Sequence, residues 1–345
     1  MKKAISLIIC TILLFSICAS GVNAATRSAL PTSAGLSALR GQFSSGTAPR
    51  TEGFALDYKY YSPVGNNDGK KYPIVIFLHG IGHGEYAGSQ LDDSGMAYWA
   101  SSELQSRFIN GGAFILLPRC PENINVFWGD SLIEPLHALI DDFIKQHKDN
   151  VDTTRIAISG SSQGGAMVWN MLDAYPEYFS AAFPIASTET PTTSVLKRAS
   201  GTAVWLLASS KDPVVNYTLS TMPIWNRVCE NNAHPENCRL STFGTVYNPD
   251  GSKSSDNHHL AGVITYDLHT LKNGLYPDMT TVDGKGRTVD LTAPNGLIKW
   301  ISSVQSDFTG DNSSSANVNI FKRIIDVFRN LLLEIVHIVQ MILGL

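Results

Sequence analysis

The sequence predicts an α/β domain in which a mostly parallel sheet is covered by helices on both faces. Two observations carry this. Short, continuous apolar runs, such as Pro-Ile-Val-Ile-Phe-Leu at 73–78 and Ala-Val-Trp-Leu-Leu-Ala at 203–208, lack the in-out alternation of a half-exposed strand. They are the signature of strands buried on both faces. Between them lie longer stretches of helical periodicity, and strands that alternate with helices build parallel sheets.

In chain order, 54–61 alternates and predicts a first strand, and 73–78 and 113–117 predict buried strands. A helix is expected over 132–148, with Pro135 in its first turn where the missing N–H does no harm. A strand at 155–159 leads into a helix at 165–175. Strands at 181–186 and 203–208, a helix at 217–229, a strand at 240–247 and a closing helix at 295–303 complete the domain.

The segments outside it have different character. Lys2 and Lys3, an apolar run to Ala19 and Val22-Asn23-Ala24 read as a secretory signal peptide over 1–24, cut after Ala24. The apolar run is short for a membrane span, and the lysine-led leader points to a bacterial, secreted protein, extracellular or held at the cell surface. The catalytic domain is then 25–303, followed by a polar, serine-rich linker at 304–318. An amphipathic helix is expected over 319–345, with its polar residues at steps of three and four and its other faces apolar. It suits a membrane surface, self-association or packing on the domain.

Export permits disulfides. Cys10 and Cys18 leave with the signal, and Cys229 and Cys238 flank a polar loop where a local bridge is expected, the alternative being two free thiols. Cys120 reads as a buried thiol. The net charge of −4 and the absence of any basic block exclude a nucleic-acid partner as a class. The 43% apolar content is that of a globular chain with a sizeable core.

The chemistry gathers at Ile-Ala-Ile-Ser-Gly-Ser-Ser-Gln-Gly-Gly, 156–165. It contains Gly-x-Ser-x-Gly as Gly160, Ser162 and Gly164, preceded by a strand and followed by a helix, which is the context that a serine nucleophile on a sharp strand-to-helix turn requires. A plain glycine-rich turn is the bland alternative. Ser161 fits worse, because Ser159 and Gln163 would stand where the glycines belong. A serine hydroxyl needs a base, and the base needs an orienting acid. Asp212 lies in the loop after the 203–208 strand, at the same sheet edge as Ser162, although an aspartate before Pro213 also suits a simple turn. Further on, Asn257-His258-His259 offers the base. His259 is favoured, His258 is the alternative and His269 an outsider. The oxyanion donors are expected to be the N–H of Gln163 and that of Ile81, with Gly82 next, in the loop His79-Gly80-Ile81-Gly82-His83-Gly84. His79 and His83 have no partners at metal-ligand spacing, so neither a metal nor another cofactor is expected.

These residues resemble the α/β-hydrolase superfamily and, more narrowly, secreted esterases of the polyhydroxybutyrate-depolymerase and feruloyl-esterase type, related to the prolyl-oligopeptidase catalytic domain. The resemblance rests on 73–84, 116–120 with Trp128, 152–165, 175–182 and 211–215, and spans roughly 50–302. It implies the α/β-hydrolase fold and hydrolysis of a small or polymer-linked carboxylic ester through an acyl-enzyme on Ser162, His259 and Asp212. It departs from the family at Asn257, which is followed by two histidines and no tryptophan, and over 270–290, which is long enough for a lid or substrate wall. A serine peptidase of the same superfamily and a non-catalytic binding module on this scaffold are the competing readings.

Overall fold

The computed structural model describes residues 33–63, 68–84, 87–91, 93–121, 128–245, 259, 279–291 and 296–306. The expected signal peptide, the C-terminal helix, His258 and His269 lie outside these residues.

Among the described residues nine strands form one sheet in the order β1-β2-β4-β3-β5-β6-β7-β8-β9. The central strands β3 (Tyr72–Leu78), β4 (Phe114–Pro118), β5 (Val151–Ser161), β6 (Ala181–Ile185), β7 (Ala203–Ser209) and β8 (Arg239–Phe243) are all parallel. Antiparallel strands close both margins: β1 (Ser44–Thr47) and β2 (Asp57–Tyr61) beside β4, and β9 (Thr280–Asp283) beside β8. Every residue of β3, β4, β6 and β7 is buried, so the continuous apolar runs have the physical cause assigned to them.

Among the described residues the α-helices are α1 (Ser33–Arg40), α2 (Ser102–Gln105), α3 (Ile133–Gln146), α4 (Gln163–Ala174), α5 (Thr193–Arg198), α6 (Met222–Asn231) and α7 (Leu297–Ser303). In α3 the buried positions Leu136, Leu139, Ile140 and Phe143 recur at helical spacing. One core face stacks Trp99 on Phe183, with centroids 6.1 Å apart and planes 9° from parallel. On the same face Trp300 of α7 meets Trp205 of β7 edge-on at 5.2 Å, and Arg155 Nε donates to Ser302 O at 3.0 Å, tying α7 to β5.

Several expectations change. The strand expected from 54 starts at Asp57, and the helix expected over 217–229 is a π-helical turn, Tyr217–Thr221, running into α6. Among the described residues Cys120, Cys229 and Cys238 are free thiols, so the expected bridge is not formed. Burial pushes Cys238 up to about 12 and Cys229 to about 11, which leaves little of either as thiolate. The loop between them is held instead by Asn232 Nδ2 on Thr202 O and by Gly284 N on Pro235 O. The body continues past residue 303, since Val304 is buried and Ser306 N donates to Thr154 O. Among the described residues no helix is long and apolar enough to cross a membrane.

Candidate active site

In an open parallel sheet, functional groups collect beyond the carboxyl ends of the strands. β3 ends in the His79–Gly84 loop, β5 ends at Ser161, and β7 leads to Asp212. Strands β3 and β5 are neighbours with Leu78 level with Gly160, so the loop after β3 lies against the turn after β5.

Ser162 stands between β5 and α4 with φ 51° and ψ −111°. A non-glycine residue there holds about 1–3 kcal/mol of backbone strain, sustained only when its surroundings over-determine it. They do. Ser162 N donates to Ile185 O at 2.8 Å, and Ser162 O accepts from Ala166 N at 3.1 Å and Thr188 N at 3.2 Å. The motif glycines have a definite reason: a Cβ at Gly160 would meet the Gly164 backbone, and one at Gly164 would land on the Leu78 carbonyl. Helix α4 therefore starts hard against β3 and β5.

Three of the expected residues come together. His259 Nε2 lies 2.8 Å from Ser162 Oγ, and His259 Nδ1 lies 2.9 Å from Asp212 Oδ2. The Asp212 side chain is 2% exposed and that of His259 15% exposed, so the pair is shielded while the histidine still reaches the surface. The other carboxylate oxygen, Asp212 Oδ1, accepts from Val214 N at 2.8 Å and Val215 N at 2.9 Å. Burial alone would raise this carboxyl, but the His259 hydrogen bond and the two backbone donors outweigh it and hold Asp212 below its ordinary value. The acid is thus ionised and locked in rotation.

Gln163 is the first residue of α4, and its N–H is one of the unpaired donors of the helix start. Ile81 sits in the loop after β3 and is 57% exposed. Among the described residues neither N–H donates to a protein acceptor. The direction of the Ile81 N–H follows from its neighbour. His79 is buried, its Nε2 accepts from Cys120 N at 3.1 Å, and so its ring proton is on Nδ1, which donates to Gly80 O at 2.8 Å. In a trans peptide the C=O and the following N–H point oppositely. With Gly80 O turned to the His79 ring, the Ile81 N–H faces away from it. Burial holds His79 below its ordinary value, consistent with this neutral ring. Trp128 Nε1 adds a bond to His79 O at 2.9 Å.

His83 lies in the same loop, where its N–H donates to Gly80 O at 3.4 Å. Among the described residues no three His, Cys, Asp or Glu side chains gather as metal ligands. An open cleft of about 300 Å³ at the β1–β2 margin, lined by Thr47, Asp57, Lys59, Gln90 and Arg119 among others, includes none of the Ser162, His259 and Asp212 set. One residue of the site was missed in the sequence. Asp93 is buried, and its Oδ2 accepts from Gly80 N at 2.6 Å and Ser161 Oγ at 2.5 Å. It lies 68 residues before Ser161, in no motif, and no spacing signal points to it.

The strand order and the elbow define the α/β-hydrolase fold. A solved thermostable esterase is similar at 25% identity and a TM-score of 0.55, over 68% of this chain and 63% of the esterase. The chain thus spans under two thirds of that relative. Thermogutta terrifontis esterase 2 phosphoramylated by tabun shares 15% identity at a TM-score of 0.44, over 59% of this chain and 83% of its own. An acylaminoacyl peptidase in complex with Z-Gly-Gly-Phe-chloromethyl ketone shares 14% at 0.47, over 68% and 42%. No protein-family model matches the chain, and no curated protein sequence matches it.

Proposed function

We propose that the chain is a secreted serine hydrolase that cleaves carboxylic esters through an acyl-enzyme. The observation that carries the reading is the unbroken chain from Ser162 Oγ through His259 to Asp212 Oδ2, set on a strained turn. Ser162 Oγ attacks the ester carbonyl as His259 Nε2 takes its proton. The oxyanion that forms is held by the Ile81 and Gln163 N–H groups. Collapse expels the alcohol, which receives the proton from His259. Water, activated by the same base, then frees the acid and restores Ser162. Asp212 keeps the Nδ1–H tautomer and stabilises the imidazolium.

Within this class, the motifs at 73–84, 152–165 and 211–215 support the polyhydroxybutyrate-depolymerase and feruloyl-esterase type. The leader over 1–24 supports export, and the amphipathic residues 319–345 support contact with a membrane surface or with a second copy. The test is covalent labelling by a fluorophosphonate together with hydrolysis of p-nitrophenyl acetate, feruloyl and polyester substrates and a peptide panel. Labelling lost in Ser162→Ala, with ester turnover outrunning peptide turnover, is the expected result. Full ester activity in Ser162→Ala sinks the assignment, and faster peptide cleavage moves it to the peptidases.

A further inference from the structure

We infer that Asp93 is a positioning residue that sets the separation of the two oxyanion donors. The inference rests on the serine-hydrolase reading above. Asp93 opens the 3-10 turn Asp93–Ala100 and is 5% exposed. One of its oxygens, Oδ2, receives both the Gly80 N–H at 2.6 Å and the Ser161 hydroxyl at 2.5 Å. An oxygen that takes two donors is an acceptor only, so it draws both groups onto a single point.

The two residues it joins are not arbitrary. Gly80 immediately precedes Ile81, and Ser161 immediately precedes Ser162 and is two before Gln163. The loop and the turn are already in contact: a Cβ on Gly80 would lie 3.0 Å from Ser161 Oγ and 3.5 Å from Ser162 Cβ. Gly80 is also fixed on its other side, because its C=O takes the His79 Nδ1 proton at 2.8 Å. Both peptide planes flanking Gly80 are therefore held by buried side chains, one from Asp93 and one from His79. Among the described residues the N–H groups at 81 and 163, one on each segment, donate to no protein acceptor.

This arrangement answers a physical difficulty. An oxyanion hole works only if its donors are in place before charge develops, at a separation fitted to one oxygen. Here the donors come from two chain segments, after β3 and after β5, with no covalent tie between them. Helix α4 fixes one and the glycine loop alone would leave the other slack. A polar group buried beside the site costs free energy unless its hydrogen bonds are well made. Asp93 makes them to one group on each segment, a role that neither segment can supply for itself. Misplacing a reacting or stabilising group by about 1 Å lowers rates by roughly 100-fold, so slack in this loop is expected to appear in kcat.

The test uses the full chain and three variants, Asp93→Ala, Asp93→Asn and Ser161→Ala, with kcat expressed per site titrated by fluorophosphonate. Asp93→Ala is expected to lower kcat on p-nitrophenyl acetate by about 10- to 100-fold, with KM within about threefold. Binding of an alkyl boronic acid, which places a tetrahedral adduct on Ser162, should weaken by the same factor, since both report the transition state. Asp93→Asn keeps an acceptor oxygen and should stay within about fivefold of the parent, with Ser161→Ala between the two. If Asp93→Ala does not fold, the asparagine and Ser161 variants decide. A titrated kcat and boronate affinity unchanged in Asp93→Ala, with only the melting temperature lowered, overturns the inference in favour of a purely structural carboxylate. So does an Asp93→Asn variant that falls as far as alanine. Failure of the serine-hydrolase reading looks different, because the parent itself then takes no fluorophosphonate label.

Discussion

Replacing Asp212 by asparagine changes one atom, and the structure dictates which way the new amide faces. Asp212 Oδ1 accepts two backbone N–H groups, from Val214 and Val215. An asparagine must keep its carbonyl oxygen there, since turning its NH2 toward two donors would leave all three unsatisfied. The NH2 then points at His259 Nδ1, where Asp212 Oδ2 sits at 2.9 Å. A ring nitrogen that faces a donor must accept, so the ring proton moves to Nε2, 2.8 Å from Ser162 Oγ. The base now donates to the nucleophile instead of accepting from it. The expected loss in kcat is about 10³- to 10⁴-fold, or roughly 4–5.5 kcal/mol of transition-state stabilisation. The upper figure is what the serine-protease triad shows for the same exchange. Steady-state hydrolysis of p-nitrophenyl acetate measures the loss, with near-ultraviolet circular dichroism to verify the fold. Retention of more than about a tenth of the parent's kcat by a folded Asp212→Asn protein would refute the tautomer argument.

Gly164→Ala forces a methyl group into the Leu78 carbonyl; a loss of about 1–3 kcal/mol or more is expected in urea unfolding, together with weakened fluorophosphonate labelling. Trp99→Ala removes a fully buried indole stacked on Phe183, with an expected cost of about 3–5 kcal/mol, checked by the same denaturation midpoint. The third concerns pH. Burial holds His79, His137 and His147 below their ordinary value of 6.5, so in the native state each stays neutral where the unfolded chain takes up a proton. Stability should therefore be fully present above pH 6.5 and fall as the pH drops through 6.5 toward the native values. A urea midpoint that holds steady or rises between pH 7 and pH 5 contradicts this.

How much of this was legible in the sequence depended on whether a residue's role left a local signal. The buried strands β3, β6 and β7 are continuous apolar runs because both faces are covered, and they read directly. The edge strand β1 is Ser-Ser-Gly-Thr, mostly exposed, and has no apolar face to betray it. β9 is Thr-Thr-Val-Asp, and the positions it buries, Thr281 and Asp283, are polar, so no apolar alternation marks it. Ser162 announces itself because the strained turn demands glycines within two residues on either side. Asp212 follows from its place after a buried strand. The choice of His259 over His258 was beyond spacing, since adjacent side chains diverge and only the final loop path selects one. Asp93 was invisible because its partners, Gly80 and Ser161, are distant in sequence and joined only by the register of β3 with β5.

The span of the Ser162–His259–Asp212 set has a consequence for how this protein is made. His259 meets Ser162 across 97 residues and Asp212 across 47. Those contacts exist only after β3, β5, β6, β7 and β8 have found their parallel partners, a non-local and therefore slow assembly. On the proposed function, hydrolysis would double as a clock for the last stage of folding. A refolding chain can regain helices and bury tryptophans while still silent, and the first turnover of the proposed ester substrate would mark the closure of the whole sheet.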